Sequence, residues 1–407
     1  MSILQFIRAN APFLATGAIL TFCSSFGQTF FISVFAGEIR ADYGLSDGQW
    51  GAIYSVSTMV SAAVMLWAGV LTDKLRVRVL GPSMLVLLAA ACLGMAFSPA
   101  VWTLAVVIFL LRFLGQGMMS HIAFVAMARW FVATRGRAIA LAAMGFSLGE
   151  AVLPVSFVAM MGVVDWRWLW VLAAVLPLLM VPVVRHLLKL ERTPQSIAAE
   201  DPSPGMGGRY WTRGEALRHP LFWMMVPALI GPPAFVTAFF FQQVHIASVK
   251  GWEHVELVAM FPVYTLTAVF AVFGTGALMD RVGSGRLLPF YQLPLAAFFL
   301  IVPMVDSPIW LIGPLILFGI SQGAQGPVVT GFGAEFYGTR HLGAIKSAVT
   351  AVLVLGSALG PGLSGMLIDL GIDFVEQMPW IAAYHIASSV LVWFAVRGVR
   401  RESAAPA

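Results

Sequence analysis

The sequence predicts an all-α membrane protein with twelve transmembrane helices in two pseudo-symmetric six-helix bundles. Three observations carry that expectation. Of the 407 residues, 59% are hydrophobic and 11% are charged, and the mean hydropathy is +0.88. Soluble domains carry about 25% charged residues, and no soluble core hides this much apolar surface, so the solvent is lipid. The chain also repeats itself. Gly69–Arg78, GVLTDKLRVR, joins two apolar stretches, and half a chain later Gly276–Arg286, GALMDRVGSGR, joins two more. Gly69, Leu71, Asp73 and Lys74 are matched by Gly276, Leu278, Asp280 and Arg281, the mark of an internally duplicated membrane protein. Finally, with the amino terminus placed inside, 20 of the 24 Lys and Arg residues fall in inner loops and tails, a bias the acidic residues do not share.

A bilayer core takes about 20 apolar residues per helix. The spans read as 13–36, 48–70, 79–97, 101–126, 136–161, 166–187, 221–245, 255–277, 287–305, 309–333, 343–368 and 378–397. The start, MSILQFIRAN, precedes an apolar run without a clear cleavage site, so the first span is read as a retained helix. Between the sixth and seventh spans lies a polar stretch containing PSPGMGG, a flexible-linker composition. The expected domains are therefore a bundle over 1–188, a cytoplasmic linker over 189–219 and a second bundle over 220–407. Location in a plasma membrane of the bacterial inner-membrane type is expected, with both termini cytoplasmic and function as a monomer. LRFLGQG (Leu111–Gly117) echoes LFGISQG (Leu317–Gly323), and GFSLG (Gly145–Gly149) echoes GSALG (Gly356–Gly360). Small residues four apart let backbones approach, so the fifth and eleventh helices are expected to pack between the bundles.

Several function classes drop out. A net charge of +5 could suggest nucleic acid, but the basic residues sit in short loops between apolar spans. Cys23 and Cys92 both fall inside spans and indicate neither a disulfide framework nor a metal site. No HExxH, P-loop or zinc-spaced set occurs, so no metal and no cofactor is expected. Gly145–Gly149 matches the hydrolase pattern GxSxG, but inside a lipid-spanning helix rather than at a strand–helix turn. The chain is not expected to be an enzyme.

Few ionisable residues lie within spans. Arg112 and Glu150 each sit about 16 Å deep by helical rise. A charge there costs at least about 2.5 kcal/mol and is rarely left unpaired, so the two are expected to face each other or a shared aqueous cavity. A structural ion pair is the plainer reading; a substrate or proton site is the functional one. Gln116 lies one turn from Arg112 on the same face. Gln28, Tyr54, Gln242, His245, Tyr264, Gln322 and Gln325 add hydrogen-bonding groups over the first, second, seventh, eighth and tenth helices. Singly, such groups are interhelical bonds; as a set they suit a cavity lining. In the repeated loops, Lys74, Arg78, Arg281 and Arg286 could be topology anchors alone. Asp73 and Asp280 are not explained that way, since a carboxylate at a helix end can hold the positive N-terminus of a neighbouring helix.

These loops resemble the major facilitator superfamily signature GxxxDRxGxRR, with Arg76 of the first copy standing where the family prefers glycine. RFLGQG (Arg112–Gly117) resembles the family's RxxxQG motif, associated with proton coupling. EALRHPLFW (Glu215–Trp223) and RWFVATRGRAIALAAMG (Arg129–Gly145) are similar to the oxalate/formate and monocarboxylate branch. That branch tends to keep a cation at mid-depth in helix 8 or 11; here helix 8 has none and Lys346 is read near the cytoplasmic end of helix 11. The resemblance implies a secondary active transporter working by alternating access between two bundles, moving a small organic solute, a carboxylate among the candidates, with protons as coupling ion. Efflux of drug-like or toxic compounds is the alternative. A non-transporting sensor or scaffold would need a larger extramembrane domain. The resemblance also implies that Asp73 and Asp280 latch a cytoplasmic gate against the starts of helices 11 and 5.

Overall fold

The computed structural model describes residues 3–69, 71–131, 134–189, 204–338 and 340–404. Among these, every regular element is helical. The chain divides into two compact units, Met1–Ala199 and Glu200–Ala407. The first holds α1 (Ile3–Ser24), α2 (Asp47–Ala68), α3 (Val77–Ala96), α4 (Val101–Trp130), α5 (Arg135–Met161) and α6 (Trp166–Leu187). The second holds α7 (Pro220–Phe241), α8 (Phe261–Val282), α9 (Leu293–Ile301), α10 (Ile312–Tyr337), α11 (Leu342–Asp369) and α12 (Phe374–Ala404).

Ten helices among the described residues are long and apolar enough to cross a bilayer. The second expected span, α2, has the length, 22 residues, and a reciprocal Ser46–Gln49 capping box starts it. The ninth was expected to be continuous and is not. It runs as a short turn, Ser284–Leu287, then α9, then a 3-10 turn at Val302–Met304. A proline in the first turn of α9 can start a helix but could not continue one.

Inside each unit the helices pair alike. α1 lies on α5, α2 on α4 and α3 on α6; α7 lies on α11, α8 on α10 and α9 on α12. The glycine repeats explain two of these pairs. A Cβ on Gly145 would lie 1.9 Å from the Ala18 carbonyl oxygen, and one on Gly149 would lie 2.1 Å from Ser25 Oγ. In the second unit, Cβ atoms on Gly356 and Gly360 would lie 2.5 and 2.0 Å from the carbonyl oxygens of Ile230 and Ala234. These glycines therefore seat α5 on α1 and α11 on α7 within each bundle. Close backbone approach also lets Thr21 Oγ1 donate to the Ala142 carbonyl at 2.5 Å.

Both first helices of the units break. α1 ends at Ser24, passes through a 3-10 turn at Ser25–Gly27 and an extended Gln28, and resumes at Thr29–Ile32. α7 ends at Phe241, and Gln243–Lys250 continues after a break at Gln242.

The second half of the linker is not the flexible segment its composition suggests. Gly205 N–H donates to the Arg209 carbonyl at 2.9 Å, and Gly207 and Gly208 take φ of +66°, which suits glycine alone. Thr212 and Glu215 form a capping box for Arg213–Arg218. The bonds from Thr212 N–H and Oγ1 hold the exposed Glu215 carboxyl below its ordinary value.

Candidate functional site

The break in α1 is where Arg112 goes. Arg112 is 0% exposed and opens a π-helical stretch, Arg112–Met119, inside α4. Such insertions are frequent at functional positions. Its Nη1 donates to the Gly27 carbonyl at 3.1 Å and to Thr29 Oγ1 at 3.3 Å, and its Nε donates to Thr58 Oγ1 at 3.2 Å. The guanidinium lies 5.1 Å from the Tyr54 ring centroid, and Tyr54 OH donates to Thr29 Oγ1 at 2.7 Å. Gly27 and Gly115 allow the approach: a Cβ on Gly115 would sit 2.6 Å from Gly27 Cα.

The expected Arg112–Glu150 pairing is therefore not what the structure has. Unwinding α1 frees the Gly27 carbonyl, and that dipole, two hydroxyls and an aromatic face take the place of a carboxylate. Glu150 is half-buried on α5 and is not among the described partners of Arg112. Gln116 is half-buried on the same π-helical stretch, and Gln28 is buried at the break in α1.

In the repeat, Phe318 stands where Arg112 stands. It packs with Tyr264 at 5.1 Å, Phe298 at 4.8 Å, and Phe239 and Phe240 at 5.6 and 5.8 Å between ring centroids. Tyr264, 2% exposed, thus belongs to an aromatic core rather than to a cavity wall. The polar centre of the first unit has an apolar counterpart in the second.

Gln322 and Gln325 do line a cavity. It lies between α10 and α11, has a volume of about 420 Å³, and also takes in Thr330, Thr350, Lys346 and the apolar Val329, Val349 and Leu353. A cation, two amides, two hydroxyls and an aliphatic wall can hold a small amphiphilic anion. Lys346, read from the sequence as too near a helix end, sits in the second turn of α11 and still reaches this cavity.

Gln242 and His245 form a separate group at the break after α7. Gln242 Nε2 donates to Ser364 Oγ at 3.1 Å. His245 Nε2 lies 3.2 Å from Asp373 Oδ1, within ion-pair distance but not aligned as a hydrogen bond.

The side chains of Asp73 and Asp280 lie outside the described residues. Lys74, Arg78, Arg281 and Arg286 are exposed. The two loops differ where the sequences differ. Gly283 takes φ 82° and ψ 153°, open to glycine alone, whereas Arg76 is ordinary extended backbone at φ −69° and ψ 144°. Each loop is held by a residue the sequence reading missed. Arg129 Nη1 donates to the Thr72 carbonyl at 2.5 Å; Glu335 accepts from Ser284 Oγ at 2.5 Å and from Gly285 N–H at 3.0 Å. The register that pairs Gln116 with Gln322 also pairs Arg129 with Glu335, so extending the repeat by four helical turns would have found both.

The comparisons with known proteins agree with this architecture. The Major Facilitator Superfamily profile matches residues 17–361 and 260–403. The chain belongs to the Major Facilitator Superfamily, a family of multi-pass membrane transporters rather than enzymes. A curated relative, Monocarboxylate transporter 13 of Bos taurus, is 26% identical over 268 residues, which is 65% of this chain and 60% of that protein. The chain thus matches less than two thirds of that relative's length. Among solved structures, a bacterial homologue of the human lysosomal transporter Spinster, inward-facing and unoccupied, superposes with a TM-score of 0.72 at 15% identity, covering 98% of this chain and 99% of that one. A mutant of the nucleoside transporter NupG gives 0.71 at 14% identity, covering 95% and 99%. At these identities the likeness speaks for the fold.

Proposed function

We propose that the protein is a proton-coupled secondary transporter of a small organic anion, with a monocarboxylate as the favoured solute. The observation that carries this is the α10/α11 cavity, which joins the Lys346 ammonium to Gln322, Gln325 and an aliphatic wall. The cation offers a carboxylate its charge, the amides fix orientation, and Val329, Val349 and Leu353 suit a short hydrocarbon part. The printed name of the curated relative supports the same solute class.

Arg112 keeps its charge at any accessible pH, so it is not the proton carrier. Its role in this reading is to hold the broken part of α1. Glu150, the carboxyl set mid-span in the first unit, is the proposed proton site. Asp73 and Asp280, with their basic neighbours, are proposed to gate the cytoplasmic side, and the inner-loop excess of basic residues supports cytoplasmic termini. Efflux of a more apolar compound is the second reading, favoured by the aliphatic share of the cavity wall. Uptake into proteoliposomes of labelled monocarboxylates, their neutral amides and apolar cations, with and without a pH gradient, separates the two. The anion reading expects accumulation of carboxylates alone, and only with the gradient.

A further inference from the structure

We propose that the ordered linker segment Gly205–Arg218 is a strap that sets the opening of the α10/α11 cavity, with Trp211 as its positioning residue. The role in transport rests on that cavity being the solute site; the mechanical claim does not. Trp211 is anchored at three points. Its N–H donates to the Tyr337 carbonyl at 3.3 Å, its indole Nε1 donates to the Met206 carbonyl at 3.1 Å, and its ring meets Tyr337 edge-on at 6.0 Å. Tyr337 is the last residue of α10, so the strap is bonded to the point where α10 turns toward α11. Arg340, within that turn, stacks at 5.4 Å over Tyr210 of the strap. Gly205 presses on the same end: a Cβ there would lie 2.5 Å from the Phe336 carbonyl oxygen.

The strap and the cavity share a wall. Met206, Trp211, Ala216 and Leu217 pack into the buried cluster that includes Phe336, Tyr337, Val329, Ile345 and Val349. The last three of these also line the cavity. Packed interiors transmit displacement because they lack free volume. Lifting Trp211 therefore frees the α10–α11 turn and loosens the wall on which the cavity is built.

The test uses the full-length protein in liposomes, carrying Thr350→Cys as a thiol reporter inside the cavity. Cys23 and Cys92 are both 0% exposed, so the background is low. Trp211→Ala should raise the maleimide reaction rate of this reporter by about fivefold, the scale of losing one aromatic pair. Trp211→Phe keeps the edge-on ring and should leave the rate near the parent value. Gly205→Ala lifts the strap with Trp211 intact and should raise the rate as Trp211→Ala does, which covers the case in which Trp211→Ala fails to fold. An Ala41→Cys reporter, exposed in the other unit, should not respond. Unchanged Thr350→Cys labelling in Trp211→Ala or in Gly205→Ala overturns the strap, as does an equal rise at Ala41→Cys. Protection of the Thr350→Cys thiol by butyrate is read separately. Its absence, with the Trp211→Ala effect present, removes the solute site and leaves the strap standing.

Discussion

Gly145→Ala is the sharpest test of how the bundles are packed. The added methyl carbon would lie 1.9 Å from the Ala18 carbonyl oxygen and 2.5 Å from Thr21 Oγ1. Both neighbours belong to α1, and the nearer is backbone, so no side-chain rotation relieves the clash. The helices must part, and the 2.5 Å bond from Thr21 Oγ1 to the Ala142 carbonyl breaks with them. Overpacking costs about 1–3 kcal/mol, and a buried polar group left unsatisfied costs about 1–3 kcal/mol more. Taken together, the apparent melting temperature in detergent should fall by about 5–20 °C, at about 2–4 °C per kcal/mol for a unit of this size. Gly136→Ala on the same helix meets nothing within 4 Å and is the control. It should be neutral or stabilising, since alanine gains about 0.5–1 kcal/mol over glycine in a helix. If Gly145→Ala melts with the wild type, the backbone contact between α1 and α5 is wrong.

Three further substitutions address the polar centres. Arg112→Lys keeps the charge but cannot reach Thr58, Thr29 and the Gly27 carbonyl together. It should lower stability by about 1–3 kcal/mol, read in the same melting assay, and an unchanged melt would contradict the fork geometry. Glu150→Gln should keep solute exchange between equal pools but lose accumulation driven by a pH gradient; accumulation that persists would move the proton site elsewhere. Glu335→Gln trades charge-assisted bonds to Ser284 and Gly285 for neutral ones of about half the strength. Amide exchange over the Gly283–Leu287 loop should then quicken by about fivefold, the equivalent of about 1 kcal/mol, and unaltered exchange would reduce Glu335 to a surface contact.

Much of the fold was legible because lipid writes plainly. A span must be apolar for about 20 residues, and the two copies of the GxLxD loop fixed the duplication. The breaks were less legible. The first span, 13–36, looks continuous in hydropathy, yet the backbone unwinds at Ser25–Gln28 because Arg112 supplies bonds from another helix. The signal was present in Gly27 facing Gly115, but it is a distant pairing that no local window contains. The expected Arg112–Glu150 pair failed for the same reason: depth was read correctly as a demand for partners, while the partners were neutral groups. Tyr264 looked like a cavity residue by type and proved to be part of an aromatic core. By position along the sequence Lys346 looks too close to the helix end, but a long side chain in the second turn of a helix reaches well beyond its own level. The linker was read from PSPGMGG as flexible, but two of those glycines at positive φ make the turn that seats Trp211.

The central claim is that the α10/α11 cavity binds a small organic anion through Lys346. The most direct measurement is pH-gradient-driven uptake of a labelled monocarboxylate into proteoliposomes by wild type, Lys346→Gln and Lys346→Arg, each at matched protein incorporation. The account predicts loss of uptake in Lys346→Gln and substantial retention in Lys346→Arg, which keeps the charge. Uptake by Lys346→Gln with the affinity and rate of the wild type would contradict it.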